Sequence, residues 1–226
     1  MKPSQLCLHQ LFQYQASRTP TSVAVVDGGK VLTYEELDRL SDNLAGFFQK
    51  HGVTFDKVVG IFMETCAEYV IACIAALKAG GAYLPLDLVY PDSLLTKMLD
   101  EAKPKVIITK SQYSHRLHSS RVAKILSVDI DKTWQLYTYD KDRVSSISLN
   151  NLAYIVYSSG TTGKPKGIMA THLGSVHSYV QRYKTSSYQP GDRVACNIFF
   201  NWEVLRPLLK GATVYIISDD IIYDPI

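Results

Sequence analysis

Eleven residues in the second half of the chain, Tyr157-Ser-Ser-Gly-Thr-Thr-Gly-Lys-Pro-Lys-Gly167, gather three glycines, four serine or threonine hydroxyls and two lysines. Gly160 and Gly163 admit backbone angles closed to other residues, so successive N–H groups can turn inward and form an anion-binding concavity. Ser158, Ser159, Thr161 and Thr162 add short hydroxyl donors, and Lys164 and Lys166 bring positive charge on flexible stems. The guest that fits such a set is a polyphosphate. An apolar run, Leu152 to Val156, precedes the segment and Ile168-Met169-Ala170 follows it, which makes it a loop between two strands.

The common phosphate-loop pattern, G-x-x-x-x-G-K-[ST], does not fit, because the residue five beyond Gly160 is Pro165 and no Lys-Ser or Lys-Thr pair follows Gly163. A plain polar turn is the competing reading of any short Gly/Ser/Thr stretch. Nine ordered positions argue against it: Ser159-Gly-Thr-Thr-Gly-Lys-Pro-Lys-Gly167 resembles the signature loop of the adenylate-forming, or AMP-binding, superfamily, which includes acyl-CoA synthetases, luciferases and the adenylation domains of nonribosomal peptide synthetases. Leu77-Lys-Ala-Gly-Gly-Ala-Tyr-Leu-Pro-Leu-Asp87 and Leu32-Thr-Tyr-Glu-Glu-Leu37 resemble two further motifs of peptide-synthetase adenylation domains. Leu8-His-Gln-Leu-Phe and Arg18-Thr-Pro look like the opening of such a domain. The resemblance extends to about Asp224, and its motifs stand in the family's order.

In that family a substrate carboxylate attacks the α-phosphate of ATP, releasing pyrophosphate and leaving an acyl-adenylate. The substrate is its own nucleophile, so the protein's contribution is positioning and charge neutralisation. The resemblance implies that Ser159 to Lys166 hold the β- and γ-phosphates, with Thr161, Thr162 and Lys166 in the principal roles and Mg2+ sharing the load. Lys164 occupies a variable position of the motif and reads equally as a solvated charge. His172 falls where members often carry a histidine; nearness to the nucleotide and a structural role at a helix start both remain open. The acyl group would pass to phosphopantetheine on a carrier-protein domain.

Two departures shape the expectation. After Asp192-Arg-Val the family's amino-acid clamp carries an aspartate, whereas this chain reads Ala195-Cys-Asn-Ile-Phe-Phe-Asn-Trp-Glu-Val204, which lacks it. A standard α-amino acid is therefore in doubt. An acid without a free α-amino group is a candidate, as is one with a quaternary nitrogen resting on Phe199, Phe200 and Trp202, although those aromatics equally suit core packing. The family also continues beyond Ile226 with segments that serve adenine, ribose and the transition state. The expectation is an N-terminal portion, residues 1–226, of an adenylation domain of the peptide-synthetase or synthetase-like carboxylic acid reductase type, with little activity alone. An acyl-CoA or aryl-acid ligase fragment and a non-enzymatic, nucleotide-binding remnant are the alternatives.

The elements that must position the loop follow from periodicity. Leu6 to Ala16 reads as an amphipathic helix, Val23–Val26 and Lys30–Leu32 as a hairpin across Gly28-Gly29, and Thr33 with Glu36 as a capping box opening a helix to Gly52. Val58–Phe62, Ala82–Leu86, Val106–Thr109 and Ala123–Ser127 read as strands. They alternate with a nearly all-apolar helix, Ala67–Ala79, and another from Pro91 through Leu99. Asp129–Ser148 has no periodicity and many charges, which suggests a surface connection. Beyond the loop come helix Leu173–Tyr183, strand Arg193–Asn197, helix Trp202–Lys210 and strand Thr213–Ile217. This alternation predicts an α/β fold of mainly parallel sheets covered by helices, an incomplete N-terminal part of the adenylate-forming enzyme fold.

The net charge of +3 and the lack of a basic stripe point away from nucleic acid, and the tyrosines are scattered. No signal-peptide core and no membrane-length apolar run occurs, so the expectation is a cytoplasmic protein with no membrane partner. Cys7, Cys66, Cys73 and Cys196 form no C-x-x-C pair, and His115 and His118 lack partners, so no metal site is expected.

Overall fold

The computed structural model describes residues 5–117, 123–158, 165–196 and 204–217. Helix α1, Leu8–Arg18, buries Leu8, Phe12 and Ala16 on one stripe. Strands β1, Val23–Asp27, and β2, Lys30–Thr33, pair antiparallel through the Asp27–Lys30 match, and Gly28 makes the reversal with φ of 54°, where a side chain would be strained. Helix α2, Tyr34–Lys50, starts on the capping box: Glu36 N–H donates to Thr33 Oγ1 at 3.2 Å and Thr33 N–H donates to Glu36 Oε2 at 2.8 Å.

Strand β3, Val58–Phe62, leads into α3, Ala67–Lys78, whose apolar residues face every direction because the helix is buried on nearly all sides. Then come β4, Ala82–Pro85, α4, Asp92–Ala102, β5, Val106–Thr109, and β6, Lys124–Ser127. The order closes with β7, Leu152–Ser158, β8, Lys166–Thr171, α5, His172–Thr185, β9, Arg193–Cys196, α6, Leu205–Leu208, and β10, Thr213–Ile216.

Two sheets result. One has the order β2-β1-β10-β9 and is parallel except at the β1–β2 hairpin. The other has the order β6-β5-β3-β4-β7-β8 and is parallel except at β7–β8. Helices α1, α2 and α3 pack on one another, and α3 touches β3 and β4 of the six-stranded sheet and β1 of the other, so this helical layer lies between the sheets. Leu95, Met98 and Leu99 of α4 cover the opposite face, against Val58, Phe62, Leu84 and Ile107.

The segment 129–148 differs from the expected surface connection. Two 3-10 turns, Thr133–Leu136 and Asp142–Val144, insert Trp134 and Val144 into the interior. Gln49 fixes the segment by donating to the Asp140 carbonyl at 2.9 Å and accepting from the Asp140 N–H at 3.0 Å. Isolated apolar anchors in a charged stretch leave no periodic signal. The described part of the helix expected at 202–210 is only α6. His115 is exposed on a 3-10 turn, Ser111–Leu117, and His118 lies outside the described residues.

Candidate functional site

Strands β3, β4, β5 and β7 run parallel, so Phe62, Pro85, Thr109 and Ser158 end at the same edge of the sheet. Parallel α/β sheets bind ligands outside the carboxyl ends of their strands. The Gly/Ser/Thr/Lys loop leaves this edge from Ser158, the last residue of β7, and returns at Lys166, the first residue of β8. Ser158 and Lys166 are direct partners across the antiparallel pair. The base of the loop is therefore closed to about 5 Å between Cα atoms.

The structure thus brings Ser158 and Lys166 together, both exposed, and Lys166 has no ion pair among the described residues. Ser159, Gly160, Thr161, Thr162, Gly163 and Lys164 lie outside the described residues, as do Phe199, Phe200, Trp202, Glu203 and Asp224.

The loop base is pinned by Tyr157 and Gly167 of the stretch itself and by Glu101 and Asp56, which no motif pointed to. The Tyr157 ring lies over Gly167, where a Cβ would sit 3.3 Å from Tyr157 Cζ and press on the ring. Tyr157 OH donates to Glu101 Oε2 at 3.2 Å, tying β7 to α4, and burial with the neighbouring Glu101 charge pushes its hydroxyl up to about 12. At the other end of β7, Asp56 Oδ1 accepts the Leu152 N–H at 2.7 Å and its Oδ2 accepts from Asn151 Nδ2 at 3.1 Å. Behind β7, the Tyr83 and Tyr154 rings pack with centroids 5.4 Å apart across the β4–β7 pair.

His172 is placed differently from the loop residues. The pairing of β7 with β8 runs from Ser158–Lys166 to Leu152–Thr171, so His172 follows the far end of β8, about 20 Å along the strand from Lys166 at roughly 3.4 Å per residue. It is fully buried, and its Nδ1 accepts the Leu8 N–H at 3.2 Å, satisfying a backbone donor in the first turn of α1. Its ring meets His9 edge-on at 5.7 Å between centroids. Burial holds His172 down to about 4 and His9 to about 3, the latter helped by His172 and Lys78. Through the bond from the Leu8 N–H, His172 joins the start of α5 to α1.

Lys78, inside the second motif, likewise turns inward. Its side chain is fully buried, and its Nζ donates to Asp38 Oδ1 at 2.6 Å, the Asp38 carbonyl at 2.8 Å and Asp42 Oδ1 at 2.7 Å, locking α3 to α2. All three ammonium donors are used. The four cysteines are buried free thiols, and burial pushes Cys7 and Cys196 up to about 11 and Cys66 to about 12. No metal-binding group of three or more His, Cys, Asp or Glu occurs among the described residues, and no helix there is long and apolar enough to cross a membrane.

Comparison with known proteins gives this geometry a family. The AMP-binding enzyme family model matches residues 12–225. Glycine betaine reductase ATRR of Emericella nidulans is 42% identical over 221 residues, which cover 96% of this chain and 17% of that protein. Tyrocidine synthase 3 of Brevibacillus parabrevis is 34% identical over 229 residues, covering 99% of this chain and 4% of the synthase. The chain spans between 3% and 21% of the length of the curated relatives it matches.

Among solved structures, the nonribosomal peptide synthetase FmoA3 in an AMPPNP-bound form superposes with a TM-score of 0.81 at 29% identity, covering 95% of this chain and 23% of that one. VinN, at 22% identity and a TM-score of 0.85, covers 93% of this chain and 56% of its own and shares the fold. With the family match covering nearly its whole length, this chain belongs to the AMP-binding enzyme family.

Proposed function

We propose that residues 1–226 are the N-terminal portion of an adenylation domain, and that the whole protein activates a carboxylic or amino acid with ATP. The observation that carries this reading is the closed strand–loop–strand at the carboxyl edge of the sheet, with Ser158 and Lys166 at its two ends. A carboxylate oxygen of the acid attacks the α-phosphorus, an acyl–O–P bond forms, and the α–β anhydride breaks with its electron pair leaving on pyrophosphate. The loop residues Ser159, Gly160, Thr161, Thr162 and Gly163 donate to the β- and γ-phosphates while Lys166 neutralises charge that grows on the departing group. The hard-oxygen donor set and the polyphosphate suit Mg2+, which would share that charge when bound. The acyl group then passes to a phosphopantetheine thiol on a carrier domain of the whole protein.

Two observations bear on the acid. The segment after Arg193 lacks the aspartate that pairs with an α-amino group, and the relative at 42% identity is named for glycine betaine, a carboxylate without a free amine. Both favour an acid with no free α-amino group over the amino acids of the tyrocidine synthases.

Acid-dependent exchange of labelled pyrophosphate into ATP tests the reading. In the whole protein Lys166→Ala is expected to lower exchange by about 10²–10³, the usual loss for one transition-state electrostatic contact. Exchange untouched by Lys166→Ala refutes the loop's role. The 226-residue chain, folded by circular dichroism, is expected to show no exchange; Lys166-dependent exchange by that chain would mean that its own residues suffice for adenylation.

A further inference from the structure

Away from the loop, a cavity of about 490 Å³ opens between α1, residues 176–183 of α5 and the turn before β9. Its size falls within the range of small-molecule pockets, roughly 300–1,000 Å³. Leu11, Val176 and Leu209 make apolar surface, and Tyr14, Tyr179, Tyr183 and Tyr188 contribute four rings. Gly211 closes the base with φ of +83°, and a Cβ there would come within 2.8 Å of Gln15 Nε2 and 3.1 Å of Pro190 Cγ. Gln15 is thus held in place at the rim of the space, donating to Thr19 Oγ1 at 3.0 Å.

The charges decide what the cavity accepts. Among the described residues no Asp or Glu lines it, whereas Arg18 and Lys210 do. Both are exposed, and neither forms an ion pair among the described residues. The one carboxylate of the neighbouring turn, Asp192, is turned onto the Gln189 N–H at 2.8 Å.

An aromatic cage normally suggests a cationic guest, but here the protein's own cations already occupy three of the four rings. Lys210 Nζ stands 4.6 Å above the Tyr183 centroid, Arg206 Cζ 5.2 Å above Tyr188 and Arg18 Cζ 5.7 Å above Tyr14. A second cation would meet like charge at three of the four rings, while an anion would meet the Arg18 and Lys210 donors at the rim and a hydrophobic interior behind them.

We propose that this cavity is a binding site for a small aromatic carboxylate, its carboxylate between Arg18 and Lys210 and its ring packed among Val176, Val180, Tyr179 and Tyr183. The site is separate from the adenylation loop and does not depend on that loop's assignment. No motif marks it, because its tyrosines come from three segments that meet only in the fold.

Titration calorimetry of the 226-residue chain with 2-naphthoate, its amide 2-naphthamide and the cation 2-naphthylmethylammonium tests the proposal. Expected are one molar equivalent of naphthoate bound at sub-millimolar concentration, weakening with added salt, and affinity about tenfold lower for the amide, as for loss of one charge-assisted contact. Arg18→Ala and Lys210→Ala should each weaken naphthoate by a similar factor, and Val180→Trp should abolish binding by filling the space. No binding up to millimolar naphthoate overturns the proposal, as does equal binding of all three probes or naphthoate affinity unchanged in Arg18→Ala. Arg18 is exposed, so its variant is expected to fold, and the salt and probe comparisons need no variant.

Discussion

Replacing Lys78 by methionine should cost less stability than removing the two carboxylates that hold it. The reason lies in unequal burial: the Lys78 side chain is 0% exposed, while those of Asp38 and Asp42 are 31% and 27% exposed. In Lys78→Met the apolar chain refills the volume and both carboxylates can turn to water. What is lost is the ion pairing and one bond to the Asp38 carbonyl, offset by no longer burying an ammonium, a net of about 1–2 kcal/mol. In the double variant Asp38→Ala/Asp42→Ala the ammonium stays buried with only the Asp38 carbonyl, which costs about 3–5 kcal/mol. Against a typical total of about 5–15 kcal/mol, that loss is large.

Urea unfolding followed by circular dichroism reads both, with an unchanged m-value confirming the same transition. Lys78→Met costing as much as the double variant would refute the burial argument.

Acid should weaken the protein through its buried histidines. Burial lowers His172 from 6.5 to about 4, so the unfolded chain takes up a proton first as pH falls. Stability is then full above about pH 6.5 and declines toward pH 4, by about 3 kcal/mol for this residue. His172→Asn, which keeps an acceptor for the Leu8 N–H, should flatten the decline between pH 7 and 5 in urea melts, and an unaltered slope would exclude His172 as its source. Two glycines make a paired test of packing. At Gly81 a Cβ would lie 2.6 Å from both the Lys57 carbonyl oxygen and Val53 Cγ1, whereas at Gly29 it would meet nothing within 4 Å. Gly81→Ala should therefore lower stability by about 1–3 kcal/mol and Gly29→Ala by a few tenths at most, and equal effects would contradict the packing.

What the sequence made legible follows from how each element is encoded. Val58–Phe62 and Val106–Thr109 coincide with β3 and β5 because parallel buried strands are continuous apolar runs bounded by turns. The Thr33–Glu36 box located the start of α2 because capping is a local interaction. The loop was legible as a candidate phosphate site because glycine and hydroxyl spacing is a local signal. The elements that stayed hidden depend on distant partners: Trp134 reaches the interior from a charged segment, and Asp56 meets β7 nearly a hundred positions later. The roles of Lys78 and His172 were hidden for the same reason, since a lysine or histidine in a motif looks alike whether it faces a ligand or a helix.

Those hidden roles explain why residues far from the loop accompany it along the chain. Lys78 fixes α3 to α2, and the tight approach at Gly81 lets the chain leave α3 and enter β4 against Lys57. β4 then pairs with β7 through Tyr83 and Tyr154, and β7 carries Ser158 at its end. The second motif therefore sets the height at which the loop leaves the sheet, through backbone and core rather than through contact with phosphate. His172 does the corresponding work on the return path, anchoring the end of β8 to α1. Under the proposed role, donors that meet a polyphosphate at hydrogen-bond distance tolerate little displacement of the loop's two ends. In this chain both ends are referred to the same helical layer between the sheets, so a disturbance of that layer should reach the loop before it unfolds the domain.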